Sequence, residues 1–209
     1  MKTSRISRRG FIYLGGVCVV AAGYPLARSL SRPRDAQAGR KFQPTPSNTL
    51  GPFYKQGAPV RERMIEPNEA GVPLLVTGRV FDTEGEPLPG SVIEVFHSDN
   101  DGNYDQEGFR HRGRIPVRAQ GDYHFESIVP GQYGGRAQHV HYVITAPGHK
   151  QLVTQLYFET DPKFGGDPDK NYTRDGLVRH RELIRPVAKI TRNNTAFSSV
   201  VFDICLEKA

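Results

Sequence analysis

Apolar residues in this chain recur at every second position, in short runs cut off by turns. "LLVTGRVF" (74–81) alternates loosely and ends in the turn-rich "DTEGEPLPG". "SVIEVFHS" (91–98) follows, then "GDYHFESIVPG" (121–131), where Tyr123, Phe125 and Ile128 form a strand pattern that breaks at Pro130-Gly131. "HVHYVITAPG" (139–148) and "QLVTQLYFE" (151–159) are separated by a Pro-Gly turn. "SSVVFDICL" (198–206) sets Val200, Phe202, Ile204 and Leu206 on one face. A period of two in short runs predicts strands with one buried face. The set predicts an all-β sandwich with Greek-key-like connections, long loops and little helix. Residues 160–196 hold little strand pattern, and "DPDKNYTRDGLVRHREL" reads as one short helix or as a wrap around the sandwich. Loops of that length are often functional.

Before residue 51 the pattern changes character. Arg8-Arg9 precede an apolar run from Phe11 to Gly23, about 13 residues, where a spanning helix needs about 20. A basic region followed by a short apolar one reads as an export signal, and the Arg pair before Phe11 resembles the twin-arginine type. Residues 1–34 are therefore expected to address the chain to the twin-arginine export machinery, and the mature protein to be periplasmic or extracellular. An uncleaved membrane tether is the other reading of the same segment. Residues 35–50, polar and Pro-rich, read as a flexible arm, and residues 51–209 as the folded domain.

Charge and cysteine narrow the picture. The net charge of +6 is concentrated at the start, since residues 1–34 carry seven of the 28 Lys+Arg and no acid. The remainder has 21 basic residues against 22 acidic, so no basic field argues for nucleic acid. If Cys18 leaves with the signal, only Cys205 remains, which excludes an intrachain disulfide and a cysteine metal site.

The candidate chemistry lies in "YGGRAQHVHY" (133–142). His139 and His141, two residues apart on a strand, point to one face and can share one metal; two ordinary polar residues on a solvated face is the bland reading. Tyr133 follows Pro130-Gly131 in a tight loop, and Tyr104 follows Gly102 in the polar turn "HSDNDGNYD".

The order "GPFY … VTGRVFDTEGEPLPGSVIEVFHSDNDGNYD … GDYHFESIVPGQYGGRAQHVHY … LVTQLYF" resembles the intradiol ring-cleavage dioxygenases over residues 50–160. The resemblance implies four iron ligands: Tyr104 in G-x-Y, Tyr133 in P-G-x-Y, and His139 and His141 in H-x-H. It also implies an active-site arginine three residues before the first histidine, Arg136, and a glutamine in T-Q-x-Y-F, Gln155. Two features depart from the well-known cytoplasmic members. The span from Tyr133 to His139 is short, as in exported relatives, and Phe96 stands where family members usually have Trp, a packing change. The long helical dimerisation segment of catechol 1,2-dioxygenases is absent from the sequence, although relatives commonly pair subunits and a homo-oligomer is in keeping with the resemblance.

Two phenolates are hard anionic donors and favour Fe(III). A free tyrosine, with a pKa of about 10, is protonated at pH 7, and a trivalent cation at bonding distance reverses that. The resemblance then implies cleavage of a catechol by O2 between its hydroxyl-bearing carbons, giving a muconate-type diacid. The same resemblance implies Tyr133 as the ligand displaced by substrate, Arg136 as the group that stabilises developing negative charge, and Gln155 as a group that orients substrate or hydroxide. His97, near the Tyr104 turn, is expected to orient a ligand rather than to bind metal. Arg110, Arg112, Arg114 and Arg118 read as a solvated basic loop, with His111 among them. The alternative is a non-catalytic secreted sandwich holding Zn(II) or Cu(II) through His97, His139 and His141, with structural tyrosines.

Overall fold

A computed structural model describes residues 41–209. The export-type segment 1–34 and residues 35–40 of the arm lie outside the described residues. Valine, isoleucine and aromatic side chains at alternate positions suit a half-buried pleated surface, and they build two mixed five-stranded sheets. In the first, β1 (Pro73–Asp82) pairs antiparallel with β4 (Asp122–Ile128). It also pairs parallel with β9 (Thr195–Val201) and β10 (Ile204–Leu206), and β8 (Ala188–Arg192) pairs antiparallel with β9. The second sheet runs β3 (Arg112–Pro116), β2 (Val92–Phe96), β5 (His139–Thr145), β6 (Leu152–Phe158) and β7 (Ile184–Arg185).

The core lies between the sheets. Leu74, Val76, Phe125 and Val200 from the first meet Ile93, Val140, Tyr142, Ile144 and Leu156 from the second. The sandwich with long loops and little helix is the one the sequence predicts. Three details differ. The single strand expected over 198–206 is two, because Asp203 turns aside and its carboxylate accepts the Arg79 amide at 3.0 Å. The loop expected around Arg112 and Arg114 is strand β3, paired along β2 from Val92↔Pro116 to Phe96↔Arg112. Residues 160–196 contain one four-residue helix, α1 (Pro168–Asn171), three short 3₁₀ turns and strands β7 and β8.

Residues 41–51 have no regular structure, yet the segment is pinned to the sandwich. Phe42 N donates to Thr83 O at 2.8 Å, Thr45 N to Cys205 O at 3.0 Å and Asn48 N to Val153 O at 2.8 Å. Thr45 Oγ1 accepts the Cys205 amide at 2.9 Å, and Thr154 Oγ1 donates to Pro46 O at 2.7 Å. This stretch leads to "GPFY" (51–54), which lies over the outer face of the second sheet.

Candidate metal centre

On β4 burial alternates, but on β5 six consecutive residues from His139 to Ile144 are buried. The difference arises because β5 is covered on both sides. Val140, Tyr142 and Ile144 face the core, while His139 and His141 take the opposite face with their register partners Tyr157 and Gln155 of β6. Over that outer face fold segment 48–54 and the two tyrosine loops.

Glycines set how closely those loops cross. Gly102 has φ +88°, and a Cβ on it would lie 2.2 Å from Gln132 O; a Cβ on Gly131 would lie 2.4 Å from both Asn100 O and Gly102 N. The glycine of each motif thus makes room for the backbone of the other. Asp99 O ties them by accepting Gly131 N at 2.7 Å and Gly102 N at 3.2 Å. Tyr104 and Tyr133 emerge side by side from this crossing, their rings edge-on with centroids 5.7 Å apart.

Three donor atoms converge. His139 Nε2 and His141 Nε2 are 3.1 Å apart, and Tyr104 Oη lies 3.3 Å from the first and 3.2 Å from the second. His139 Nδ1 donates to Ala137 O at 2.6 Å, which leaves its Nε2 a lone pair in the neutral ring. His141 Nε2 faces the same point, and its Nδ1 lies 3.1 Å from Gln155 Nε2. Two ring nitrogens and a phenol oxygen within 3.3 Å of one another form a set of ligand atoms that one cation can share. Separations of this size match ligand atoms held about 2.0–2.1 Å from one ion.

The electrostatics agree. Burial pushes His139 down to about 4 and His141 well below the usual imidazole range, so both are neutral at pH 7. Burial also raises the Tyr104 phenol well above its usual value, against the pull of Arg136 and Arg112. A phenol in that environment ionises only beside a cation. Tyr133 stands apart. Its ring packs edge-on against Phe53 at 4.9 Å and is 41% exposed, and among the described residues its hydroxyl does not join the three-atom cluster. Rings wall the centre: Phe53 stacks on Tyr104 at 4.2 Å, and Phe96 stacks on His141 at 4.3 Å and 2°.

Arg136 is held from two sides. Its Nε donates to both oxygens of Asp175 at 2.8 and 2.9 Å, and its Nη2 donates to Tyr157 Oη at 2.7 Å and Gln155 Oε1 at 3.1 Å. Tyr157 Oη in turn donates to Gln155 Oε1. Gln155 Nε2 donates to Thr49 O at 2.7 Å and lies 3.1 Å from His141 Nδ1. Both ends of the fully buried Gln155 amide are thus spent on protein partners. That differs from the expected contact with substrate or hydroxide: Gln155 bridges His141 and Arg136.

His97 does not approach His139 and His141 as a third metal ligand. Its ring stacks on His111 at 4.8 Å, and its nitrogens are occupied by Ser98 O at 2.7 Å and Ser127 Oγ at 2.8 Å. Among the described residues no group of three His, Cys, Asp or Glu side chains is arranged to hold a metal. The basic loop also reads differently in place. Arg112 is buried, donating to Phe53 O at 2.7 Å and Asp105 O at 2.8 Å, so it ties the segment that stacks on Tyr104 to the residue that follows Tyr104. His111 is buried against Glu69 at 2.8 Å, and Arg110 pairs with the same oxygen at 2.6 Å.

Two buried carboxylates of segment 160–196 were not singled out by sequence. Asp161 accepts from Gln132 Nε2 at 2.9 Å and from the Gln138 amide at 2.6 Å, and Asp175 holds Arg136. Nothing local marks either one among the polar neighbours of that segment. Tyr157 did carry a signal: two residues beyond Gln155 on a strand, it had to share the histidine face.

Residues 49–208 match the family model described as Dioxygenase. The chain is 35% identical over 180 residues to catechol 1,2-dioxygenase 2 of Acinetobacter lwoffii, covering 74% of this chain and 64% of that one. It is 33% identical over 193 residues to chlorocatechol 1,2-dioxygenase of Rhodococcus opacus, covering 78% and 72%. Among solved structures, the dioxygenase domain of a dioxygenase and carbohydrate-binding protein fusion from Streptomyces sp. SirexAA-E superposes with a TM-score of 0.65 at 32% identity. That match covers 80% of this chain and all of the other. The chain belongs to the intradiol ring-cleaving dioxygenase family, and it spans just under two thirds of the length of the Acinetobacter relative.

Proposed function

We propose that this chain is an exported non-haem Fe(III) dioxygenase that opens catechol-type rings between the two hydroxyl-bearing carbons, consuming O2 and yielding a muconate-type diacid. The observation that carries the reading is the convergence of Tyr104 Oη, His139 Nε2 and His141 Nε2 within 3.3 Å, with the Tyr133 ring 5.7 Å from that of Tyr104. Relatives named as catechol and chlorocatechol 1,2-dioxygenases support the substrate class.

Tyr104, His139 and His141 would hold the metal, with Tyr133 as the fourth ligand. When bound, Fe(III) supplies a Lewis acid for the two catechol oxygens and an acceptor for part of their electron density. The chain does the rest. Neutral imidazoles and the half-buried Tyr104 phenolate would limit the charge of the loaded site. Tyr133, on the open side, would take a catechol proton at Oη. Phe53 and Phe96 exclude water from the planes of Tyr104 and His141. Arg136 directs its guanidinium at negative charge growing on the substrate oxygens, where a preorganised donor is worth most. Gln155 fixes the spacing between His141 and Arg136.

The test is metal content, colour and oxygen uptake on the purified chain. About one iron per chain, a visible tyrosinate band and stoichiometric O2 consumption with catechol are expected. Zinc or copper at that stoichiometry after expression with adequate iron contradicts the reading. Export is tested separately: Arg8-Arg9→Lys-Lys should abolish periplasmic accumulation, and normal accumulation excludes the twin-arginine route.

A further inference from the structure

The geometry points to Asp175 as the positioning residue for Arg136, an assignment that rests on the proposed dioxygenase reading. The Asp175 side chain is 1% exposed and that of Arg136 18%. Both carboxylate oxygens receive Arg136 Nε, at 2.8 and 2.9 Å. The same oxygens accept the Ala137 amide at 2.8 Å and the Leu177 amide at 3.1 Å, so the carboxylate cannot turn away from the guanidinium. On the other edge, Tyr157 and Gln155 take Nη2. Among the described residues Nη1 has no hydrogen-bond partner. The guanidinium is therefore clamped at Nε and Nη2, with Nη1 left as the donor for substrate.

Two consequences follow. A planar guanidinium fixed at two of its three nitrogens has a fixed third direction, so Nη1 is aimed before substrate arrives. The buried carboxylate also offsets the Arg136 charge, so the cation does not repel the metal that its neighbours hold. Asp175 belongs to the long segment after β6, 39 residues beyond Arg136. That segment thus takes part in the chemistry without touching the reacting atoms.

The experiment is a cycle of Asp175→Asn, Arg136→Gln and the double variant, read by iron content, anaerobic catechol titration followed by the visible band, and kcat. Asparagine keeps an oxygen for one of the two backbone amides and removes the charge, one Arg136 bond and the acceptor of the other amide. Asp175→Asn should retain iron and catechol affinity while kcat falls roughly 10²-fold, the scale of a small misplacement. In the Arg136→Gln background it should cost nothing further, since the two act as one unit. Parental kcat in Asp175→Asn overturns the inference. So does a loss of iron or of fold that persists in the Arg136→Gln background, because Asp175 would then only pin the loop. A parent chain that cleaves no catechol removes the dioxygenase reading and the inference together, an outcome distinct from either.

Discussion

The second sheet has two faces made by the same strands, and they could hardly differ more. Toward the first sheet, Ile93, Val140, Tyr142, Ile144 and Leu156 form part of a continuous apolar core. On the reverse, Phe96, His139, His141, Gln155 and Tyr157 stand at register positions one residue away, and nearly every polar atom has a named partner. Alternation along a strand lets stability and chemistry be carried by adjacent residues with little interference. The inner face is specified by hydrophobic volume. The outer one is specified by pairing, and its partners come from segments distant in sequence: 48–54, 99–112, 130–138 and 161–175.

The strongest way to break this division is at the tyrosines. Tyr104→Phe removes a half-buried ligand atom of the three-atom cluster, so iron content and turnover should both collapse while the melting temperature moves little. Tyr133→Phe, on the exposed side, should retain substantial iron and still chelate catechol, but turn over about 10²–10⁴-fold more slowly. Metal analysis, visible spectra and single-turnover rates on both variants decide it. Full iron and colour in Tyr104→Phe, or a parental rate in Tyr133→Phe, removes the assigned role.

The opposite cut is Ile144→Ala on the inner face. A fully buried isoleucine replaced by alanine should cost about 2–5 kcal/mol in urea unfolding. At temperatures where the variant stays folded, kcat should remain near parental. A large loss of kcat in folded protein indicates that the two faces are coupled.

Acid should act through burial. His97 is pushed down from 6.5 to about 3 by desolvation. Its folded pKa is depressed, so the unfolded chain binds the extra proton. The stability this histidine contributes is complete above about 6.5 and is lost as pH falls toward 3, by up to about 1.4 kcal/mol per pH unit. Urea midpoints between pH 7 and 5 should fall for the parent and less steeply for His97→Gln. The smallest expected effect is Phe96→Leu, which removes the stack on His141 and should cost about 0.5–1.5 kcal/mol with modestly faster iron loss to a chelator.

Much of the inner face was legible in the sequence, because period-two hydrophobicity is written locally. The exceptions are instructive. Strand β3, "RGRIP", hides its alternation behind two arginines, one of them buried on backbone carbonyls. Strand β8, "AKITR", is mostly exposed and carries no apolar stripe. For the outer face, motif spacing and family resemblance located Tyr104, Tyr133, His139, His141, Arg136 and Gln155. They gave no hint that Gln155 would be enclosed by Thr49, Tyr157 and Arg136, or that Asp175 would lie behind the arginine. Those are tertiary pairings between polar residues, which have no period to read.

The segment from Phe42 to Gly51 sets the order in which the molecule can be finished. Thr45 exchanges hydrogen bonds with Cys205, 160 residues later, and Asn48 Nδ2 donates to Leu177 O across 129. Contacts of that span are slow to form because a long loop must close first. The part of the domain synthesised first therefore docks last, after strand β10 has left the ribosome. Because that same segment brings Thr49 to Gln155 and Gly51 to His141, a growing chain has an incomplete outer face. On the proposed iron reading, metal capture is then expected of the released, fully folded polypeptide, and a shortened carboxy terminus ending before Cys205 should leave the early segment undocked even though the proposed ligands Tyr104, Tyr133, His139 and His141 are all present.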